Sequence, residues 1–273
     1  MEKLRVLYVS QEITPFLPDS DVAQTARKLA QGMNEEGREI RAFMPRFGCI
    51  NERRHQLHEV IRLSGLNLII NDTDHPLIIK VASVPAARMQ VYFIDNEQFF
   101  KRKATVCDDK QVFFNDNDER SMFFVRGVLE TIKKLGWVPN VIHCHGWMTA
   151  LMPLYLKKMY GNDAHFSDAK VVYTPYGKAF PGEWDKQVTR KLEMDGFDTS
   201  DISLLSTPTY DNLTKLAVQF SDAVSFEPSA INADVRKFIA SSDKPVLEWN
   251  DPSALVKEHS VFYDSIVEES IAV

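Results

Sequence analysis

Residues 4–45 read LRVLYVS, QEITPFLPDSDVAQTARKLAQGMNEEG and REIRAFMP in three consecutive blocks. The first block, Leu4–Ser10, reads as a buried strand, with Val6–Val9 as its apolar centre. In the second, a proline-rich turn, Thr14-Pro15-Phe16-Leu17-Pro18, precedes Val22, Ala26, Leu29, Ala30 and Met33 at helical spacing. Gly37 supplies a stop. Glu39–Pro45 reads as a second strand. Strand, loop, helix, strand is the opening of a parallel sheet.

The same alternation continues outward from this unit. Leu66–Ile70, Leu77–Val84 and Gln90–Ile94 read as strands, the first two as a hairpin around Asn71–Pro76. Phe99–Asn117 is a polar, aromatic-rich loop. A helix is predicted from about Asp118 to Leu135, with Phe123, Phe124, Val128, Leu129 and Ile132 inward and Gly136 at its end. Val141–Cys144 is a strand leading into His145-Gly146-Trp147 and a helix from Met148 to about Met159. Lys170–Thr174 and Ala223–Phe226 are strands, and Leu213–Phe220 and Ser229–Ala240 are helices. The fold class is therefore α/β, a doubly wound, Rossmann-like, mostly parallel sheet. One domain is expected over residues 1–240. Residues 241–273 are expected to form a linker, Ser241–Pro245, and a last helix capped by Asp251 with Pro252 at its first position, packing back on the domain.

The 273 residues suffice for a core without covalent staples. A net charge of −6 argues against a nucleic-acid partner. No apolar run approaches the ~20 residues of a membrane span, and the amino-terminal residues lead straight into a strand without a signal-peptide pattern. Three widely spaced cysteines, Cys49, Cys107 and Cys144, fit a reducing cytoplasm. No metal set is apparent, because His143 and His145 have no further ligand pair at useful spacing. No cofactor is expected. Asn71-Asp72-Thr73 and Asn212-Leu213-Thr214 match the glycosylation pattern by chance in such a setting.

Four ordered segments carry a resemblance. They are Val9-Ser10-Gln11-Glu12-Ile13-Thr14-Pro15, then Met44-Pro45-Arg46-Phe47-Gly48-Cys49-Ile50. Val91–Asn96 follows, with Asp116-Asn117-Asp118-Glu119-Arg120, and last His143-Cys144-His145-Gly146-Trp147-Met148-Thr149-Ala150-Leu151. Over roughly residues 3–235 the chain resembles the N-terminal half of glycogen and starch synthases, retaining glucosyltransferases of the two-domain glycosyltransferase-B architecture. The resemblance implies ADP-glucose as donor and an α-glucan end as acceptor. With the family positions kept at Glu12, Asp95, Asp116, Asn117, His145 and Trp147, and with the divergent Tyr176, these seven residues are the candidates for a sugar or ligand site.

The departures from that family pattern are chemical. Where the family carries K-x-G-G-L-A-D, this chain has Pro18-Asp19-Ser20-Asp21-Val22-Ala23-Gln24. Glycines and a helix N-terminus cradle phosphate, and lysine adds charge. Pro18, Asp21 and Gln24 remove that cradle. Two unit charges ~5 Å apart interact by roughly 3 kcal/mol at an effective dielectric of 20. Exchanging lysine for a nearby aspartate therefore costs phosphate affinity by orders of magnitude. Asp19 and Ser20 suit a helix cap instead, and Asp19 with Asp21 leaves a cation or amine site open. Gly146 and Met148 stand where the family has aspartate and histidine. In Thr174-Pro175-Tyr176-Gly177-Lys178-Ala179-Phe180-Pro181-Gly182, Tyr176, Gly177 and Pro181 replace histidine, asparagine and glutamine. Tyr176 and Phe180 suit either stacking on a sugar or packing. Asp116 and Asn117 suit either a sugar contact or the cap of the following helix. About 35 residues follow the resemblance, too few for a second nucleotide-binding domain.

Three readings result. The first is a synthase-like domain that is non-catalytic by itself and serves as a binding, scaffold or regulatory protein. The second is a glucosyltransferase component completed by a separate partner chain. The third is an altered sugar or small-ligand site using Glu12, Tyr176 and His145. A partner protein or homo-oligomer is expected on the face normally met by the second domain.

Overall fold

The computed structural model describes residues 3–17, 20–177, 180 and 182–268. Pro18, Asp19, Lys178, Ala179 and Pro181, on which some of the expectations above fall, lie outside the described residues. The elements run β1 (Arg5–Ser10), α1 (Asp21–Glu35), β2 (Glu39–Pro45), α2 (Glu52–His55), β3 (His58–Glu59), β4 (Leu66–Ile70), β5 (Thr73–Val84) and β6 (Met89–Asp95). There follow α3 (Glu97–Phe100), α4 (Asn117–Leu135), β7 (Val141–His145), α5 (Met152–Lys158), β8 (Lys170–Thr174), α6 (Val188–Met194) and α7 (Tyr210–Phe220). The chain closes with β9 (Ala223–Phe226), α8 (Ala233–Ala240), β10 (Val246–Glu248) and α9 (Leu255–Glu268).

The sheet order is β10-β9-β8-β7-β1-β2-β6-β5-β3, with β4 also paired to β5. Every pair from β10 to β6 is parallel, and β5 runs antiparallel to β6, β3 and β4. Parallel strands are covered on both faces, so their centres are buried on both sides. Accordingly Val6, Leu7, Tyr8 and Val9 are fully buried, as are all five residues of β7. The helix α4 buries Phe123, Phe124, Val128, Leu129 and Ile132 and ends at Gly136, whose φ of 58° is the left-handed value such a stop requires.

Several boundaries differ from the sequence expectation, each for a local reason. The hairpin turn is only Asn71-Asp72, at φ 48° and 59°, so pairing resumes at once with Ile70 opposite Thr73. Two adjacent positive-φ residues are the tight-hairpin solution, and they extend β5 back from Leu77 to Thr73. The helix expected from Met148 starts as a 3₁₀ turn, Trp147–Thr149, and becomes α-helical only at Met152. Similarly, Pro228–Ala230 is a 3₁₀ turn, and α8 starts after Asn232, whose side chain accepts from the Val235 amide at 2.9 Å. Residues after 240 do more than link. Val246–Glu248 joins the sheet parallel to β9. Asp251 holds a turn through the Ser253 amide at 2.7 Å, and α9 begins only at Leu255.

α9 packs on α1 and reaches the sheet. The Tyr263 hydroxyl lies 2.6 Å from His143 Nδ1 and 3.3 Å from the Tyr8 hydroxyl. His143 Nε2 meets Thr174 Oγ1 at 2.7 Å, and His259 Nε2 meets Ser225 Oγ at 2.7 Å. Arg38 clamps Asp264 through two contacts of 2.7 Å.

Gly48 lets two loops meet. A Cβ there would collide with the Lys101 and Arg102 carbonyl oxygens. Both are backbone atoms, so neither can swing aside. Gly48→Ala is expected to lower stability by about 2 kcal/mol. It should also speed amide exchange across residues 101–112. Unchanged exchange there would show that the two loops are not held by this approach.

Candidate functional site: an acidic cleft at the strand ends

The chain leaves β1 toward β2 on one side and later returns to pair β7 on the other side of β1. In such a sheet the crevice outside the carboxyl ends of the strands, where the order reverses, is where ligands bind. Ser10 pairs with His145, which sets the loops after β1 and β7 side by side. A cleft of about 910 Å³ opens there. Gln11, Glu12, Phe16 and Leu17 line it from the β1 loop, and Ser20, Asp21 and Val22 from the start of α1. Gly146, Trp147, Tyr176, Phe180 and Tyr210 form the side beneath β7 and β8. The opposite wall is the loop 104–111, with Cys49 beside it.

The charge of this lining has one sign. Glu12, Asp21, Asp108 and Asp109 are there, and no lysine, arginine or histidine is among the described lining residues. The start of α1 is satisfied internally. Ser20 Oγ accepts from the Ala23 amide at 3.1 Å and donates to Glu12 Oε2 at 2.5 Å. One of the orphan amides that would greet a phosphate is thus already bonded, and Asp21 adds negative charge at that helix end.

The structure brings Glu12, Asp21, Trp147 and Tyr176 together on this cleft. Trp147 packs edge-on against Phe180 with ring centres 5.0 Å apart, and Phe180 stacks on Phe113 at 4.9 Å. His145 stands just beneath. It is fully buried, its Nδ1 meets the Tyr176 hydroxyl at 2.9 Å, and its Nε2 has no hydrogen-bond partner among the described residues. Burial, with a smaller push from His259, holds its imidazole down to about 3. It is therefore neutral at physiological pH. Gln24 lies on α1 outside the lining. Asp118, Glu119 and the rest of α4 are also absent from the lining.

Asp95, Asp116 and Asn117 do not line the cleft. Asp95 is buried between Arg46, at 3.1 Å, and Lys80, at 3.0 Å. Asp116 makes no side-chain cap to α4; it pairs with Arg102 instead. Asn117 donates to the Val106 carbonyl at 2.9 Å and accepts from Arg120 at 2.6 Å. Arg120 is itself fully buried, donates to the Phe99 carbonyl at 2.8 Å and lies over the rings of Phe47, Phe100 and Phe114. Burial pulls its guanidinium down to about 9. Asp116 and Asn117 thus hold the loop that forms the outer wall rather than touching its contents.

Sequence reasoning missed that wall. Asp108 and Asp109 sit in a stretch with no periodicity, and ties such as Arg102 to Asp116 and Asn117 to the Val106 carbonyl bring it over the cleft. Asp108 Oδ1 accepts from the Lys110 and Val112 amides, both at 2.8 Å, which shapes the turn. No group of three His, Cys, Asp or Glu side chains placed to hold a metal ion occurs among the described residues. None of the described helices is long and apolar enough to cross a membrane.

Sheet order, flanking helices and cleft position define a Rossmann-like half of a glycosyltransferase-B fold. The family model for the starch synthase catalytic domain matches residues 5–228, and the chain belongs to the glycogen and starch synthase family. It is 40% identical over 189 residues to a glycogen synthase of Chlorobium limicola, covering 69% of this chain and 39% of that one. It is 34% identical over 236 residues to a glycogen synthase of Chlorobium phaeobacteroides, covering 82% and 47%. Among solved structures it is similar to the catalytic domain of starch synthase IV from Arabidopsis thaliana bound to ADP and acarbose. The TM-score is 0.72 at 18% identity, with 93% of this chain and 53% of the other covered, a likeness of fold. The chain spans less than half the length of these two curated relatives.

Proposed function

We propose that this chain does not transfer glucose by itself and acts as a binding or regulatory domain, a pseudoenzyme of its family. The observation that carries this reading is the cleft lining, with four carboxylates and no described cation. Glucosyl transfer from a sugar nucleotide needs the departing diphosphate neutralised and oriented. A fold supplies neither; specific side chains do. The free thiols of Cys49, Cys107 and Cys144 support a reducing, cytoplasmic setting.

Incubating the purified chain with labelled ADP-glucose or UDP-glucose and glycogen is expected to give no incorporation above a protein-free blank. Robust transfer would overturn the reading. The second reading is a synthase component completed by a nucleotide-binding domain on another chain. It is favoured by Glu12 and Trp147 keeping their places on the cleft. Transfer appearing only when such a domain is added would select it.

A further inference from the structure

Resting on the reading that the cleft binds rather than catalyses, we propose that its ligand is an extended organic cation, a linear amine with two or more ammonium groups. The cleft itself supplies the first argument. At about 910 Å³ it has the size of a small-molecule site, far beyond what an inorganic ion fills. Its contents face aromatic walls, including Trp147 and Tyr176, and carboxylates from three separate segments, Glu12, Asp21 and the pair Asp108-Asp109.

The spacing of those carboxylates supplies the second argument. No three acidic, histidine or cysteine side chains converge well enough to hold a metal ion among the described residues. A point cation cannot satisfy several of them at once. A chain of methylenes carrying separated ammonium groups can. Its charges meet the carboxylates, and its methylenes and ammonium heads lie on aromatic faces, an arrangement that favours cations over neutral chains. An anionic ligand meets its own sign at every charged position of the described lining and is repelled.

The polar floor agrees. The Tyr176 hydroxyl is bonded to a neutral His145, so the floor presents no positive charge to repel an ammonium group. Behind it, His145 Nε2 is a buried nitrogen still without a hydrogen-bond partner among the described residues.

The test is calorimetric titration of the full chain with spermidine at low ionic strength, with ADP-glucose titrated in parallel. Spermidine is expected to saturate one site and to change tryptophan emission in a way that Trp147→Phe abolishes. The double variant Asp21→Asn/Asp109→Asn is expected to weaken binding on the order of tenfold. Both side chains are exposed, so folding should survive. Glu59→Gln, on β3 and outside the cleft lining, should leave binding unchanged. Lack of saturation overturns the proposal. So does equal weakening by Glu59→Gln, which would mean diffuse attraction to a chain of net charge −6. If neither spermidine nor ADP-glucose binds, the amine fails and the non-catalytic reading stands. Tight ADP-glucose binding with glucosyl transfer would remove both.

Discussion

Replacing Lys191 by alanine is expected to destabilise the protein by about 3–5 kcal/mol, the cost of breaking a buried ion pair from one side. Lys191 projects from α6 with its side chain almost fully buried. Its Nζ lies 2.7 Å from Asp118 Oδ2, 2.9 Å from Glu119 Oε1 and 3.0 Å from Asp185 Oδ2. Burial alone would pull the ammonium down. Asp118, together with Glu119 and Asp185, outweighs it and holds the group above its usual value. Asp118 is more exposed to the cost. Burial raises its carboxyl to about 6 despite the opposing pull of Lys191, and its Oδ1 has no partner among the described residues. Removing the lysine leaves three carboxyl groups facing one another. The melting temperature should fall by about 10 °C. Lys191→Met with Asp118→Asn should recover most of the loss, since the two most deeply buried charges are then both gone and the remaining Glu119 and Asp185 reach solvent. A single variant as stable as the parent would mean that water already reaches the cluster.

Acidification is expected to have the next largest effect. His143, His145 and His259 are all fully buried. Burial is the leading cause in each case: it holds His259 down to about 4 and His145 to about 3, while His143, with its two histidine neighbours adding, is also well below its usual value. The unfolded chain protonates these residues near 6.5. Their contribution is therefore complete above that pH and is lost as the pH falls toward the folded values. Each group loses about 1.4 kcal/mol per pH unit in that window. Asp118 works the other way, because a raised carboxyl pKa favours the folded state on acidification. The net loss between pH 7 and pH 5 is about 4 kcal/mol. Urea midpoints across that range check it, and His259→Gln should reduce the slope by roughly a third. A flat profile would show that the rings open to solvent before the chain unfolds.

These three histidines also show what could be read from the sequence and what could not. The strand and helix pattern follows from apolar periodicity, and Val141–Cys144 is apolar enough to announce β7. That His143 and His145 share one face follows from strand alternation, and their rings indeed lie 3.9 Å apart. Their partners are another matter. Tyr263 and His259 arrive from more than a hundred residues away, and no local pattern encodes that meeting. β10 escaped notice because it is three residues long and follows Pro245, with Val246 and Glu248 exposed. α6 is only seven residues long, with Val188 and Leu192 as its buried apolar positions beside Lys191. On the cleft, the residues carried by β1, β7 and β8 were legible because strand ends are positioned by the sheet. Asp108 and Asp109 were not, because a loop is positioned by what ties it down.

The family match stops at residue 228, yet Tyr263 and His259 close the polar floor of β7 from beyond that limit. The matched segment therefore lacks the helix that covers this floor. A fragment trimmed to it would leave the Tyr8 and His143 side chains facing water or an unrelated surface, and its misfolding should be read as lost coverage rather than as a property of the family.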